Sequence, residues 1–227
     1  MRGLFVAGTD TGVGKSVLAA AVCAALVARG EPVAAFKPVV TGLDEPPADW
    51  PRDHELLARA AGGWQAPEQV APYRFDPPLS PHYAAELAGE TIEPARLVEA
   101  ARSAAGQGRL LIAEGVGGLL VPITPGYLVR DLALDLGLPV LIAARTGLGT
   151  INHTLLTIEG ARTAGLAVAG VVMTPWPATP EPIEISNRET VERLGDVPVS
   201  GLRPTDPDSL GEAGSDLPLD EWLVWSA

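Results

Sequence analysis

GTDTGVGKS, residues 8–16, decides the reading of this chain. It follows an apolar run of strand length, LFVAG at 4–8, and precedes a helical pattern, SVLAAAVCAALVARG at 16–30. Strand, glycine-rich turn, Lys-Ser and helix in that order describe a phosphate-binding P-loop. Backbone N–H groups of Thr11 to Ser16 can converge on one concavity, and the positive end of the following helix favours an anion there. Lys15 is then placed to reach the β- and γ-phosphates, and the Ser16 hydroxyl to ligate a magnesium ion that bridges them. Five residues separate Gly8 from Gly14 where the common pattern has four. The loop is therefore a long variant, identified by the strand before it and the helix after it.

The use of lysine points to a second site residue. The chain has two lysines and fourteen arginines, and the lysine outside the P-loop opens KPVVTG at 37–42. A sequence that otherwise uses arginine retains lysine where a compact, rotatable ammonium is required and a planar guanidinium would not fit. Two carboxylates are candidates to complete a metal site. Glu114 ends the apolar run of LLIAEGVGG at 110–118, where Gly115, Gly117 and Gly118 would let backbone approach a phosphate closely. Asp53 opens DHELLARA at 53–60, where a helix cap and a metal ligand are both open readings.

Apolar, non-alternating runs at 32–36, 110–114, 139–144 and 167–173 read as strands buried on both faces of a parallel sheet. Helical patterns lie between them at 54–61, 94–107, 128–136 and 151–164. The alternation predicts one α/β domain over residues 1–227, a P-loop NTPase fold with a mostly parallel, doubly wound sheet flanked by helices. Ligands in such a sheet bind at the carboxyl ends of the strands, the edge that carries both lysines. Proline-rich stretches at 43–51, 66–81 and 176–182 read as loops over the site.

Composition excludes several functions. The formal charge of -12 and the lack of a basic cluster argue against a nucleic-acid or anionic-membrane partner. The apolar runs are too short for a signal peptide or a membrane span. The single cysteine, Cys23, lies inside the first helical pattern, which fits a reducing compartment and a cytoplasmic protein. His54, His82 and His153 have no metal-ligand spacing, and no Ser-His-Asp or Cys-His arrangement stands out.

Four motifs in order resemble those of the dethiobiotin synthetase family: GTDTGVGKS at 8–16, FKPVVTG at 36–42, EGVGGLLVPI at 114–123 and GLGTINHTLLT at 147–157. The stretch PYRFDPPLSPHYAAE at 72–86 is similar as well, and the resemblance weakens after residue 173. It implies closure of a cyclic urea from 7,8-diaminononanoate, carbon dioxide or bicarbonate, and ATP or another nucleoside triphosphate, with Mg2+, through a carbamate and its phosphorylated form. By that resemblance Lys37, Lys15 and Thr11 are the catalytic residues, with Lys37 on the carbamate and γ-phosphate. Gly12, Val13, Gly14, Lys15, Ser16, Val17, Glu114, Gly115, Val116 and Gly117 surround the nucleotide, and Ser16, Asp53 and Glu114 hold magnesium. Thr41 contacts the substrate, and Gly149, Thr150, Ile151 and Asn152 reach its carboxylate from the partner subunit of a homodimer. From the residues alone, the 147–152 stretch is a glycine turn with free N–H groups at a helix start, or simply a capped helix.

The base pocket departs from the family. MTPWPATP at 173–180 offers Thr174 and Pro175 where members often carry an Asn and a polar residue, so no side-chain amide is there to read a purine edge. Pro204, Thr205 and Asp206 align with the second base-contacting loop. Trp222 and Trp225 read as packing anchors of a terminal segment. Two other classes share parts of this pattern. A P-loop switch or partitioning ATPase would have a second lysine early in the loop and no task for Lys37, and an amidating ligase would require an ammonia-handling module for which no length remains.

Overall fold

The computed structural model describes residues 1–45 and 50–224. Strand β1 (Gly3–Gly8) feeds the P-loop turn and helix α1 (Lys15–Ala28). Strand β2 (Val33–Phe36) and the short β3 (Val39–Val40) follow, then α2 (Asp53–Ala60), α3 (Pro67–Val70), β4 (Tyr73–Arg74), α4 (Pro81–Ala88) and α5 (Pro94–Ala105). Strand β5 (Leu110–Gly118) leads through a hairpin of β6 (Pro122–Thr124) and β7 (Tyr127–Leu128) into α6 (Val129–Leu136). The chain closes with β8 (Val140–Ala144), α7 (Thr150–Thr163), β9 (Val168–Met173), α8 (Pro182–Gly195), β10 (Val199–Gly201), α9 (Leu210–Ser215) and α10 (Leu219–Leu223).

Six strands form one sheet in the order β10-β9-β8-β1-β5-β2, and every pairing in it is parallel. Alternation along the strands divides the core. Phe5 and Ala7 of β1 and Leu111 and Ala113 of β5 face the side covered by α4 to α8. Leu4 and Val6, Leu110 and Ile112 face the side covered by α1, α2, α9 and α10. Both faces are buried, which is why the strands show no polar alternation in sequence. The doubly wound fold expected from the sequence is the fold observed, with element ends shifted by one or two residues except in β5, which continues four residues past Glu114 to Gly118.

The proline-rich stretches and the carboxyl end carry the differences. The stretch at 176–182 is a loop only up to Pro182, which takes the first position of α8, where its missing N–H costs nothing. Strand β10 adds a sixth member to the sheet. The 66–81 stretch contains α3 and β4 and ends at the first residue of α4, while part of the 43–51 stretch falls outside the described residues. Trp222 is buried in the core cluster that includes Ala169 and Val172 of β9, with its ring nitrogen close against Gly170, so it is the packing anchor expected; Trp225 lies outside the described residues.

Alanines at 19, 20, 21 and 25 allow α1 to sit close to both the sheet and α9. At Gly214 of α9, an added Cβ would run into the Ala21 carbonyl group and lie 2.9 Å from Ala25 Cβ. At Gly211, one turn earlier, the nearest atom is 3.7 Å away. Gly214→Ala should therefore cost about 2 kcal/mol by overpacking, a fall in Tm of roughly 6 °C for a chain of this length. Gly211→Ala should leave Tm unchanged or raise it slightly, because alanine has the higher helix propensity. Thermal unfolding of the two variants measures the difference.

Candidate functional site

The site is a consequence of strand register. Ala35 pairs with Ile112 and Phe36 with Ala113, so the next residues along both strands are Lys37 and Glu114. Both continue the set of side chains that faces α1, since Leu110 and Ile112 on β5 and Val33 and Ala35 on β2 already do. At this end of the sheet the Lys37 ammonium lies 2.6 Å from Glu114 Oε1 and 2.7 Å from Asp53 Oδ2. Asp53 reaches it from the first residue of α2, whose cap position is taken by Arg52. The cap reading of Asp53 is not the one observed, since Arg52 holds that position; the contact that the structure shows instead is the ion pair with Lys37, which the sequence does not predict. Ser16 Oγ donates to the same Glu114 oxygen at 2.9 Å.

Glu114 is fully buried, and among the described residues its second carboxylate oxygen, Oε2, has no hydrogen-bond partner. Burial pushes its carboxyl above the usual range, with Lys37 pulling it back. Burial alone would lower the Lys37 ammonium, but Asp53 and Glu114 outweigh it and hold the group above its ordinary value. For Asp53 burial acts upward, and Lys37 reverses it to leave the carboxyl below its ordinary value. Lys15 is lowered, chiefly by burial, with Lys37 adding to the effect and Glu114 opposing it. The two ammonium groups are therefore shifted in opposite directions, Lys37 upward by its carboxylate partners and Lys15 downward by burial.

The P-loop is shaped by close approach. The Lys15 side chain folds back so that Nζ donates to the Asp10 carbonyl at 2.8 Å. A Cβ on Gly8 would sit 2.8 Å from Lys15 Cδ and 2.9 Å from its Nζ. Gly14 caps α1 with φ of 84°, a left-handed conformation that favours glycine, and leaves no side-chain cap on the helix N–H groups. A long cavity of about 610 Å³ opens over the loop. Thr11, Gly12, Gly14, Lys15, Ser16, Val17, Lys37, Thr41, Asp53, Glu114, Val116 and Gly117 all line it. Trp50, Pro51 and the segment from Pro78 to Pro81 form its other wall, so two of the three proline-rich stretches do border the site.

Four expected groups stand elsewhere. Val13 is buried beneath the loop, and Gly115 is packed between Phe5 and Val129. Thr174 is buried behind the P-loop with its methyl against Gly14, and it precedes Pro175 through a cis peptide bond. Neither of these two, nor Pro204, Thr205 or Asp206, lines the cavity; Asp206 Oδ1 accepts from the N–H groups of Asp208 and Ser209 in its own turn. Gly149, Thr150, Ile151 and Asn152 begin α7 and are likewise absent from the cavity of their own chain. The sequence reading missed Arg145, which follows β8 directly and donates from Nη2 to the Thr11 carbonyl at 3.2 Å. Its position at the carboxyl end of a sheet strand was the available signal.

A parallel sheet with a P-loop at its carboxyl edge, a buried carboxylate behind the Lys-Ser pair and a helix N-terminus over the cavity define a P-loop nucleotide-binding protein. Solved structures agree at the level of fold. A ParA family ATPase from Chlorobium tepidum TLS aligns with 99% of this chain and 92% of its own, at TM-score 0.53 and 13% identity, and apo McdA from Cyanothece aligns at TM-score 0.51 and 12% identity over 97% and 92%. A family model described as an AAA domain matches residues 2–213. Sequence relatives are more specific. The ATP-dependent dethiobiotin synthetase BioD of Anaeromyxobacter dehalogenans (strain 2CP-C) is 44% identical over 208 residues, 92% of each chain. Those of Mycolicibacterium vanbaalenii, 41% identical over 94% of this chain and 91% of that one, and Bacillus subtilis subsp. natto, 36% over 90% and 87%, bear the same name. The chain belongs to the ATP-dependent dethiobiotin synthetase family.

Gly8→Ala tests the loop geometry. The added methyl displaces the Lys15 side chain, so nucleotide affinity should fall at least about tenfold, the loss of one charge-assisted contact. Nucleotide titration followed calorimetrically measures it, with far-UV circular dichroism unchanged.

Proposed function

We propose that the protein closes the ureido ring of dethiobiotin from 7,8-diaminononanoate, carbon dioxide and ATP, as an ATP-dependent cyclo-ligase of biotin formation. One amine of the substrate attacks carbon dioxide and loses a proton, giving a carbamate. A carbamate oxygen then attacks the γ-phosphorus, the bond to the β-phosphate oxygen breaks, and ADP leaves. The second amine attacks the carbonyl carbon of this mixed anhydride, phosphate departs with its bridging oxygen, and the ring closes with loss of a second proton.

The observation that carries this reading is the second ammonium. Lys37 is buried within the reach of the P-loop and held charged by Asp53 and Glu114, so it supplies a positive group where carbamate and γ-phosphate would meet. Negative charge is built or moved at each step, and donors fixed in advance lower the barrier without reorganising. Lys15 stands over the β- and γ-phosphates, the loop N–H groups from Thr11 to Val17 over the phosphate chain, and Thr11 and Thr41 beside the substrate. The unpartnered Glu114 Oε2, Ser16 Oγ and Asp53 are hard oxygen donors that suit Mg2+. Bound there, the ion supplies charge neutralisation on the β- and γ-phosphate oxygens.

The carboxylate end of the substrate is assigned to Gly149, Thr150, Ile151 and Asn152 of a second copy of the chain. Their absence from the cavity of their own chain supports this. So does an exposed apolar surface beside them: Leu120 and Leu156 border one groove, with Thr9 and His153, and are 61% and 59% exposed. Among the described residues no helix is long and apolar enough to cross a membrane, and we place the enzyme in the cytoplasm, where a lone thiol such as Cys23 stays reduced.

ADP release that requires both the diamine and bicarbonate tests the function; equal release without them would contradict it. Lys37→Arg should abolish turnover while nucleotide affinity changes by less than about fivefold, because the lost contact forms mainly in the transition state. Complementation tests the shared site. Lys37→Gln and Asn152→Asp, each inactive alone, should regain about a quarter of wild-type activity when co-refolded in equal amounts, since half the dimers are mixed and each carries one intact site. No recovery, with subunit exchange shown independently, would place each site within one chain.

A further inference from the structure

The turn between β8 and α7 is held from inside by two side chains. Asn187, buried in the middle of α8, donates through Nδ2 to the carbonyls of Thr146, at 2.8 Å, and Gly147, at 3.1 Å. Thr150 Oγ1 donates to the carbonyl of Arg145 at 2.6 Å. Three successive carbonyl groups thus have fixed directions. The next residues could not hold the turn by packing, because Leu148 is 93% exposed and Gly149 offers no side chain. Gly149 adopts a left-handed φ of 91° and caps α7 without a side-chain hydrogen bond to its N–H groups. The Gly147 carbonyl held by Asn187 also accepts from Thr150 N at 3.3 Å. The Asn187 amide therefore sets the turn that aims the first N–H groups of α7.

We propose that Asn187 is a positioning residue for the substrate carboxylate: it fixes the peptide planes of 146 and 147, and through them the donors of 149–152. The proposal rests on the reading above that this helix start receives the carboxylate. The amide is suited to the task, since one NH2 group serves two carbonyls, which neither a carboxylate nor a hydroxyl can do. The P-loop contact is anchored separately, because Arg145 reaches Thr11 and its own carbonyl is held by Thr150. Loss of Asn187 should consequently be felt at one end of the substrate only, where small misplacements of donors are costly.

Asn187→Ala and the isosteric Asn187→Asp should be assayed with 7,8-diaminononanoate and with a vicinal diamine of the same chain length that lacks the carboxylate. The second compound can be followed as a substrate or as a competitive inhibitor. For Asn187→Ala the KM for the acid should rise about tenfold, the loss of two backbone-directed hydrogen bonds, with kcat and the KM for ATP within about twofold. Asn187→Asp should show a larger rise, because its carboxylate faces two carbonyl oxygens. The carboxylate-free diamine should not distinguish either variant from wild type. Equal losses with both compounds, a fall in kcat alone, or no change at all would overturn the proposal. Asn152→Asp serves as the control for the underlying reading. If it weakens the acid selectively and the Asn187 variants do not, only the role of Asn187 falls. If neither residue shows selectivity, the carboxylate role of this turn falls with it.

Discussion

A buried ammonium between two carboxylates organises the site. Lys37 follows β2, Glu114 lies in β5, Asp53 begins α2, and Ser16 at the start of α1 joins through Glu114. Four elements thus meet at one set of charges. Removing such groups from water is costly unless each is paired, and an ion left alone at this depth would destabilise the protein by several kcal/mol. Pairing sets the directions of ionisation, with Lys37 held charged and Asp53 below its ordinary value. It also prepares for function. An anion and a cation entering together can separate the ammonium from its carboxylates, each replacing a partner of the same sign.

How much of this could be read in the sequence depends on how local each feature is. The P-loop and the buried strands were legible because a glycine turn between an apolar run and a helical run is a local pattern. Lys37, Asp53 and Glu114 were visible as candidates, but their meeting point was not, since it depends on the pairing of β2 with β5 across an intervening stretch of more than seventy residues. Strand β10 has three residues, too few for any period, and α8 follows a proline-rich run that masks its start. Asn187 gave no signal at all. Its partners are backbone carbonyls, and a carbonyl is the same in every residue.

Fold alone does not separate this protein from its structural neighbours. A ParA family ATPase shares the fold at TM-score 0.53 and 13% identity, and one fold serves many reactions. The groups that the proposed reaction uses are attached to that fold at the carboxyl edge: the lysine after β2, the wall from Pro78 to Pro81, and the glycine turn before α7. Each is positioned by rigid elements and leaves the scaffold unchanged.

The central claim is that a carbamate oxygen attacks ATP, and isotope transfer tests it most directly. The enzyme is mixed with ATP, the diamine and freshly dissolved carbon dioxide labelled with oxygen-18, and the reaction is stopped before the label exchanges with water. The released phosphate should carry one labelled oxygen for each ring closed, because the bridging oxygen of the mixed anhydride comes from carbon dioxide. Phosphate that takes its new oxygen from water instead, in amounts independent of the diamine, would identify simple hydrolysis and contradict the account.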